Sequence, residues 1–504
     1  MAEPVQQQEP SDPFQWLEGV AETNALDWVR AQNAISTNEL EKSPWFEPFR
    51  SRLLAVLDSK ERIPYVAKYG PWYYNFWRDE AHVRGILRRT ILDEYRKTSP
   101  AWETVLDLDQ LASVEHENWI WKGYNVLEPD RDRCLISLSR GGADASVHRE
   151  FDLLRKEFVA DGFQLAEAKS HVDWRNRDTL YVATDFGPGT LTKSGYPRTA
   201  REWKRGTPLA GAPVVFEGRE EDVSVGVSVT HDHGRIHEFA HRSPTFFTTE
   251  YFVRRGDVFV RLEKPADVEV STFGDWLLFQ PRLDWPLEGR TYKAGSLLAS
   301  NLDRWMEGRR ELAVLFEPGA RRSLDSISAT KTFLVLNELD NVRSRPVLLR
   351  FASGQWIRTP LEVSGFGSVQ VDGVDADESD DYFMTVTDFL TPSSLYLGRA
   401  GNGGVEKLKS LPAYFNADGL EIRQFEAESR DGKSRVLEYD GLVIATGAIP
   451  KKPLIEGLEK DGVFTLHTLS DGMKIAQAMK HSRSACVIGA GYVGLEIAEE
   501  IGRA

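Results

Sequence analysis

The sequence predicts a mainly β protein: a seven-bladed β-propeller, preceded by a helical N-terminal segment and followed by an incomplete C-terminal α/β fragment of Rossmann-like character. Three observations lead to this fold class. Short strand-like runs separated by turn residues fill the chain from about residue 65 to 424, and one kind of run recurs at a regular interval. After about residue 431, longer apolar runs and a glycine-rich turn follow, as in parallel α/β structure. The predicted domains are residues 1–75, 76–426 and 427–504.

The N-terminal segment is predicted to be helical. Thr23 or Asn24 caps a first helix, and a second helix covers Pro48 to Leu57, where apolar residues recur with the helical period. Residues Met1 to Pro13 are polar, with no basic start and no apolar run, so they are not expected to be a secretory signal. No stretch of about 18 apolar residues occurs, so no membrane span is expected.

A repeated pattern favours a propeller over a sandwich or a barrel. A short apolar run followed by charged or turn residues recurs at intervals of roughly 45 to 57 residues, which is the length of a four-stranded blade with its loops. Seven such runs predict seven blades. The runs are Val105-Leu106, Phe158-Val159, Val214–Phe216, Val260–Leu262, Val314–Phe316, Trp356-Ile357 and Leu408–Leu411.

Charge and cysteine content exclude some classes of partner and location. The formal net charge of −15 argues against nucleic-acid binding and against attachment to anionic membranes, because both need a basic surface. The two cysteines, Cys134 and Cys486, offer no disulfide framework, so a reducing compartment, the cytoplasm, is expected.

Two motifs resemble metal sites. His237, Glu238 and His241 have the H-E-x-x-H spacing that binds zinc when it lies on a helix. The surrounding turn residues predict a strand instead, where the two imidazoles would be about 13 Å apart. The acidic run Asp375–Asp381 lacks the glycine and distal glutamate of a calcium loop, so a solvated loop between strands is predicted. No metal is expected.

The C-terminal region contains a dinucleotide-binding fingerprint. The buried-strand runs Leu442–Ala445 and Ala485–Ile488 are predicted, and a glycine turn and a helix follow the second run. Gly489 would make the tight turn, Gly491 would let a pyrophosphate approach, and Gly494 would let helix and strand pack closely. The acidic residue that binds the ribose, about 20 residues further on, and an FAD fingerprint are both missing. Useful NAD or FAD binding is therefore not expected, and Cys486 is predicted to be a core residue rather than a redox centre.

Several short motifs occur in a fixed order between about residues 11 and 432. They are Asp12–Glu18, Trp28-Val29 with Gln32-Asn33, Ser139 with Gly141-Gly142 and Asp144, Thr184–Gly189, Ser194–Arg198 and Trp203–Leu209. No single motif is specific, but in this order they resemble the prolyl oligopeptidase family.

This resemblance implies a propeller that covers an α/β-hydrolase domain and admits only short peptides. In the family the hydrolase domain supplies the catalytic Ser, Asp and His, and residues 420–432 resemble its first strand. The resemblance ends there. No serine of this sequence has a glycine both two positions before and two positions after it, so the G-x-S-x-G nucleophile elbow is absent. No catalytic residue is assigned.

Two further motifs, Tyr439–Pro450 and Val487–Glu496, lie between about residues 433 and 504. They resemble a second family, the pyridine-nucleotide-disulfide oxidoreductases of the NADH oxidase and coenzyme A-disulfide reductase type. In such enzymes the first motif closes the FAD domain and the second opens the NAD(P)H domain. Two incomplete domains are therefore expected to join inside a strand.

Three functions remain open. The first is the gating propeller of a serine peptidase that hydrolyses short peptides, typically after proline, and that is inactive without its hydrolase domain. The second is a stand-alone propeller that binds peptides or proteins. The third, which the missing FAD fingerprint disfavours, is an NAD(P)H- or FAD-dependent oxidoreductase.

Overall fold

The structure, a computed structural model, describes residues 15–18, 22–363, 367–413, 415–424, 457–489 and 492–503. The chain divides into two units, Met1–Arg423 and Gln424–Ala504. The first unit contains the β-structure of the described residues, and the second contains two helices.

The first unit is a seven-bladed β-propeller. Seven antiparallel sheets follow one another along the described chain, each with four strands paired in sequence order, and the first strands of blades 2 and 3, 3 and 4, and 6 and 7 contact one another. Blade 1 contains β1–β4, blade 2 β5–β9, blade 3 β10–β13, blade 4 β14–β17, blade 5 β18–β23, blade 6 β24–β27 and blade 7 β28–β31. The strands are β1 (Ala67–Tyr69), β2 (Trp72–Trp77), β3 (Ile86–Thr90), β4 (Glu103–Asp107), β5 (Trp119–Val126), β6 (Arg133–Arg140), β7 (Ser146–Asp152), β8 (Glu157–Phe158), β9 (Gln164–Ala168), β10 (His171–Asn176), β11 (Thr179–Ala183), β12 (Thr199–Lys204), β13 (Val214–Glu217), β14 (Ser224–Asp232), β15 (Arg235–Thr245), β16 (Thr248–Arg255), β17 (Val258–Arg261), β18 (Val268–Phe273), β19 (Trp276–Pro281), β20 (Trp285–Leu287), β21 (Arg290–Tyr292), β22 (Leu297–Asn301), β23 (Ala313–Phe316), β24 (Arg322–Ala329), β25 (Leu334–Asp340), β26 (Arg343–Ala352), β27 (Gln355–Pro360), β28 (Ser368–Gly373), β29 (Asp381–Thr387), β30 (Ser394–Arg399) and β31 (Val405–Ser410).

Two blades carry an addition. In blade 2, β9 pairs with β7 beside β8, and in blade 5, β20 and β21 form a separate hairpin. The propeller begins with β1 at Ala67, before the predicted domain boundary at residue 76.

The predicted repeat has a structural cause. Each of the seven apolar runs lies at the last strand of its blade: β4, β8, β13, β17, β23, β27 and β31. Such a strand packs one face against a neighbouring blade and has an edge in solvent, so an apolar run is followed at once by polar residues. The prediction of seven blades is confirmed.

The apolar core lies between the blades. In blade 3, every residue of β11 is buried, because blades 2 and 4 cover both faces of this central strand. Between blades 5 and 6, Phe273, Leu278, Leu297, Leu336 and Leu349 pack into one cluster. Burial of this kind contributes about 25 cal/mol for each Å² of apolar surface removed from water.

Blades 1 and 7 meet without sharing a strand, because each sheet is built from its own segment of chain. Side chains close the ring here: the Tyr73 and Phe383 rings are 6.5 Å apart, and Tyr95 packs with Leu395 and Leu408. Strands alternate in direction, so the chain enters β1 and leaves β31 on one face of the propeller, which we call the chain-end face. The other face, the turn face, carries the turns that join the first strand of each blade to the second.

The helices of the first unit differ from the prediction in detail. α1 (Thr23–Leu40) and α2 (Phe46–Leu57) confirm the two N-terminal helices, but Glu22 occupies the N-cap and no side chain caps α1. The prediction of Thr23 or Asn24 as the cap is wrong because both residues lie inside the helix. Three short helices interrupt the predicted run of strands, α3 (Leu92–Tyr95), α4 (Leu108–Glu115) and α5 (Leu302–Met306), and 3-10 turns occupy Gln15–Glu18 and Leu209–Gly211.

The second unit contains α6 (Leu469–Met479) and α7 (Tyr492–Arg503). Thr468 and Asp471 form a reciprocal capping box at the start of α6. The prediction of a buried strand over Ala485–Ile488 is wrong, since these residues form no strand and Ile488 is 63% exposed. A parallel strand needs hydrogen-bonding neighbours, and the described residues of this unit supply none. The Leu442–Ala445 run lies outside the described residues.

No helix among the described residues is long and apolar enough to cross a membrane.

Candidate functional site

The H-E-x-x-H motif lies on β15, in blade 4, as the turn residues predict. The Nε2 atom of His237 lies 2.8 Å from the carbonyl oxygen of Gly274, and His241 pairs with Tyr251 of the neighbouring strand. The two imidazoles therefore lie beside different neighbours. In the part of the chain that the structure describes, no group of three His, Cys, Asp or Glu side chains has the geometry of a metal site.

Glu238 belongs to an ion-pair network between blades 3 and 4. It accepts a hydrogen bond from the phenol of Tyr181, and Nη1 of Arg254 lies 2.5 Å from the same phenol oxygen. Arg175 pairs with Glu202 at 2.9 Å, and Arg254 lies 3.6 Å from both carboxylates. Burial, together with the bond to Glu238, raises the pKa of Tyr181. A carboxylate held in this way stabilises the blade interface and is not free to act as a general base.

His241 instead takes part in a row of polar side chains at the chain-end face. Its ring centroid is 5.4 Å from that of His171, the first residue of β10, and 6.5 Å from that of Tyr251. Gly226 makes the close approach possible, because a Cβ there would lie 2.7 Å from Cε1 of His241 and 2.8 Å from Cδ2 of His171.

The row continues into blade 5. The Tyr251 hydroxyl is 3.4 Å from Oε2 of Glu269, and the other oxygen of Glu269 accepts a 2.8 Å hydrogen bond from Arg282. The ammonium of Lys264 lies 5.0 Å from the centre of the Tyr251 ring. We call this set the rim cluster: His171, His241, Tyr251, Lys264, Glu269 and Arg282.

Burial sets the charges of the rim cluster. It lowers the pKa of His241 to about 4 and lowers that of His171, so both imidazoles are neutral at pH 7. It also lowers the pKa of Lys264 to about 8, and it raises that of Tyr251 to about 12 with help from Glu269. The Nε2 atom of His171 is buried and has no hydrogen-bond partner.

This chemistry suits a peptide. A neutral imidazole offers one donor and one acceptor, which match a peptide N–H and C=O. Lys264 supplies a cation for a carboxylate, although its ammonium already donates to the carbonyl oxygens of Thr249 and Pro265 at 2.8 and 3.0 Å. The cluster contains no Ser, Thr or Cys, so it can bind and orient a ligand but offers no serine-, threonine- or cysteine-type nucleophile.

Exposed aromatic side chains lie on the same face. Phe246 and Phe247 form the turn between β15 and β16, and Phe389 follows β29. Phe246 and Phe389 are 78% and 79% exposed. The chain-end face thus exposes large aromatic side chains in blades 4 and 7.

Sequence reasoning found only His241 of the rim cluster, and assigned it to a different motif. The other five residues occur singly, without a motif, in or next to strands of blades 3, 4 and 5. Only the ring arrangement of blades brings them together, so no sequence signal could have grouped them.

The nucleotide fingerprint is described only in part. Gly489 has φ of 117°, in the region that favours glycine, and a Cβ on Gly494 would lie 1.8 Å from the carbonyl oxygen of Gly489. The role that the sequence predicts for Gly494, close packing of the helix against a strand, stays a prediction. Gly491 lies outside the described residues. Cys486 is exposed and unpaired, so its prediction as a core residue is wrong, for the same reason that the strand is absent.

The acidic run also differs from the prediction. Asp375 is buried, with a side chain only 4% exposed, and pairs with Arg131 and Lys68. The prediction of a solvated loop is wrong at this residue because two cations from other blades neutralise it.

Residues 2–410 match the model of the prolyl oligopeptidase N-terminal β-propeller domain. The chain belongs to the prolyl oligopeptidase family. It is 34% identical over 494 residues to an uncharacterized peptidase of Sinorhizobium fredii, with 92% of this chain and 68% of that protein covered. The post-proline cleaving enzyme of Rickettsia typhi has the same fold, with a TM-score of 0.76, 24% identity, and coverage of 83% of this chain and 63% of that one. This chain thus spans about two thirds of the family members that it matches.

Residues 398–504 match the model of the pyridine nucleotide-disulphide oxidoreductases. Within this region, 71 residues are 44% identical to an NADH oxidase of Methanocaldococcus jannaschii, which is 14% of this chain and 16% of that protein. The resemblance to both families is confirmed, and the second concerns only a part of the oxidoreductase.

Proposed function

We propose that this chain is the peptide-admitting propeller of a prolyl-oligopeptidase-type serine peptidase, and that the rim cluster contacts the peptide. The observation that carries the proposal is the position of the cluster. His171, Tyr251 and Glu269 lie on the face where the chain enters β1 and leaves β31. A catalytic domain connected to both ends of the propeller lies over this face, so a peptide passing between the two domains meets these side chains.

Two apolar surfaces support the presence of a covering domain. The first is formed by Phe246, Phe247 and Phe389 on the chain-end face. The second lies on the N-terminal helices, where Trp28 of α1 and Leu53 of α2 are 41% and 62% exposed. The family members that this chain matches are longer than it is, and a domain corresponding to the additional length would remove both surfaces from water.

We further propose that the chain hydrolyses no peptide by itself. Without a base and an oxyanion hole a serine hydroxyl is a weak nucleophile, and no serine here lies in a G-x-S-x-G turn. A fluorophosphonate probe is expected to label no serine stoichiometrically. Specific labelling of one serine would contradict this.

Peptide binding tests the rim cluster. The Lys264→Met variant is expected to bind a short proline-containing peptide about fivefold or more weakly in calorimetric titration, because it loses the cation that meets the peptide carboxylate. The matched control is Lys193→Met, since Lys193 pairs with Glu221 at the surface, outside the cluster. Wild type and Lys264→Met should bind a C-terminally amidated peptide with equal affinity, because that peptide has no C-terminal carboxylate. Equal affinity of wild type and Lys264→Met for the free-acid peptide would refute the role of the cluster.

The second candidate is a stand-alone propeller that binds peptides or proteins. The closure of the ring between blades 1 and 7 favours it, because the Tyr73–Phe383 and Tyr95–Leu408 contacts complete the propeller within this chain. A peptide affinity unchanged by an added catalytic domain would favour this second function.

For location we propose the cytoplasm. Cys134 and Cys486 are both unpaired, Cys134 in the core and Cys486 at the surface, as suits a protein kept in a reducing compartment.

A further inference from the structure

The turn face is closed over the axis of the ring by contacts between blades that are not neighbours. The backbone N–H of Gly234, in blade 4, donates a 3.2 Å hydrogen bond to Asp377, in blade 7. The Nε2 atom of His233, also in blade 4, lies 2.9 Å from the carbonyl oxygen of Thr330, in blade 6. In a ring of seven blades, such contacts require the turns to meet across the opening that the first strands surround.

Two cations hold the blade 7 turn in this position. Nη1 of Arg131, in the blade 2 turn, donates to Oδ2 of Asp375 at 2.6 Å and to Glu378 at 2.9 Å. Lys68, in the first strand of blade 1, lies 3.1 Å from the same Asp375 oxygen and also pairs with Glu378. Both cations are largely buried, with side chains 13% exposed, so their pairing with Asp375 is only weakly screened by solvent.

The remaining turns join the same network. Asp380 of blade 7 accepts hydrogen bonds from the N–H of Thr332 at 2.7 Å and from the hydroxyl of Thr330 at 2.9 Å, both in blade 6. Asp232 of blade 4 accepts from the N–H of Gly274, in blade 5, at 2.9 Å. Arg177 of blade 3 pairs with Asp130 and Asp132 of blade 2. Every blade thus contributes to one connected set of contacts.

Two residues of this set have a left-handed backbone conformation. Arg131 has φ of 57° and His233 has φ of 53°, in the left-handed region that residues with a Cβ rarely adopt. The strained turns direct Arg131 towards the blade 7 acids and His233 towards Thr330. His233 faces Asp232 through Nδ1 and the Thr330 carbonyl through Nε2, and because both partners are acceptors, both ring nitrogens carry a proton. A strained conformation that persists at such contacts is maintained by the surrounding structure.

We propose that these turns form an ionic plug that closes the propeller tunnel at the turn face, and that Lys68 and Arg131 are the two cations whose loss releases it. Without them, Asp375, Asp377 and Glu378 repel one another and the blade 7 turn moves away from the axis. The contacts to Gly234 and Thr332 then break as well, although neither residue touches Lys68 or Arg131.

Hydrogen exchange at these distant amides tests the proposal. In Arg131→Met, the Gly234 and Thr332 amides are expected to exchange at least about tenfold faster than in wild type, because their acceptors are Asp377 and Asp380 of the released turn. Lys68→Met should act in the same direction. Protection of β25, a buried central strand of blade 6, should stay unchanged, which distinguishes release of the plug from global unfolding.

The matched control is Arg242→Met, which removes another largely buried arginine that pairs with a buried carboxylate, Asp222, at 2.8 Å near the chain-end face. It should leave exchange at Gly234 and Thr332 unchanged. The wild-type protein provides a test without substitution: raising NaCl from about 0.05 to about 1 M weakens the ion pairs of the partly exposed Glu378 and should speed exchange at the same two amides. Unchanged exchange at both amides in Arg131→Met, or an equal increase in Arg242→Met, would overturn the proposal. If Arg131→Met does not fold, exchange in wild type that is independent of salt overturns it.

Discussion

Acid should destabilise the propeller through imidazoles that are buried in their neutral form. Burial lowers the pKa of His148 and of His241 from 6.5 to about 4. Between pH 4 and 6.5 the unfolded chain therefore binds more protons than the fold, so the free energy of unfolding falls as the pH drops through this window. At pH 5 the loss relative to pH 7 is about 2 kcal/mol for His148 and about 1 kcal/mol for the more exposed His241. Together this is a sizeable part of the roughly 5–15 kcal/mol that stabilises a domain.

Guanidinium unfolding at pH 7 and pH 5, followed by tryptophan fluorescence, measures the effect. In the His148→Gln variant, the difference in the free energy of unfolding between pH 7 and pH 5 should be about 2 kcal/mol smaller than in wild type, because the titrating group is removed. The glutamine amide can still bond the Ser137 hydroxyl, which lies 2.9 Å from Nδ1 of His148. The exposed His481→Gln substitution is the control and should leave the difference unchanged. His233 acts in the opposite direction in all variants: burial lowers its pKa, but the hydrogen bonds to Asp232 and to the Thr330 carbonyl, together with the charges of Asp232 and Asp377, raise it overall. If His148→Gln keeps the full wild-type difference, the reasoning is refuted.

Three further predictions concern the two ends of the chain. Trp77→Leu should speed proteolysis of the linker between α2 and β1, because the Trp77 ring holds the guanidinium of Arg62 at 4.4 Å; cleavage at the wild-type rate would contradict this. The purified protein should show no flavin absorbance and no saturable NADH binding at micromolar concentrations; such binding, lost in Gly491→Asp, would overturn the prediction. Replacing Leu53 and Leu57 of α2 by Ser should reduce the fluorescence of a bound hydrophobic dye without lowering the unfolding midpoint, because both side chains are more than half exposed; a lower midpoint would show that they are packed.

The sequence predicts the propeller well because the outermost strand of every blade has the same requirements. The outermost strands need one apolar face and a soluble edge, and the runs at Val105, Val214 and Val314 reveal this need at regular intervals. The helix caps were predicted less well, since Thr23 is as good a capping residue as any and only the backbone shows that Glu22 precedes the first helical residue. The Ala485–Ile488 strand was predicted from its apolar residues alone, whereas a strand also needs partners for its backbone.

The candidate site could not be predicted because it depends on distance across the ring. His171 and Glu269 are far apart in sequence and share no motif, yet the ends of their strands lie on one face. The H-E-x-x-H motif shows the converse. The spacing alone suggests zinc, but on β15 it places Glu238 in an interblade ion network and His241 in the rim cluster. Secondary structure, not spacing, decides which of the two arrangements forms.

The two faces of the propeller should respond differently to salt, and such a difference would separate their roles. The turn face is held by ion pairs such as Arg131–Asp375, and added NaCl weakens those of its pairs that solvent reaches. The chain-end face has exposed apolar side chains such as Phe246 and Phe389, and salts excluded from protein surfaces, such as sulfate, strengthen the burial of such surface. A domain covering the chain-end face would therefore be held more firmly by sulfate, whereas NaCl would loosen the plug at the turn face. If the rate at which a bound peptide exchanges rises with NaCl, the peptide passes through the turn face. If this rate falls with sulfate, the peptide passes beneath a domain that covers the chain-end face.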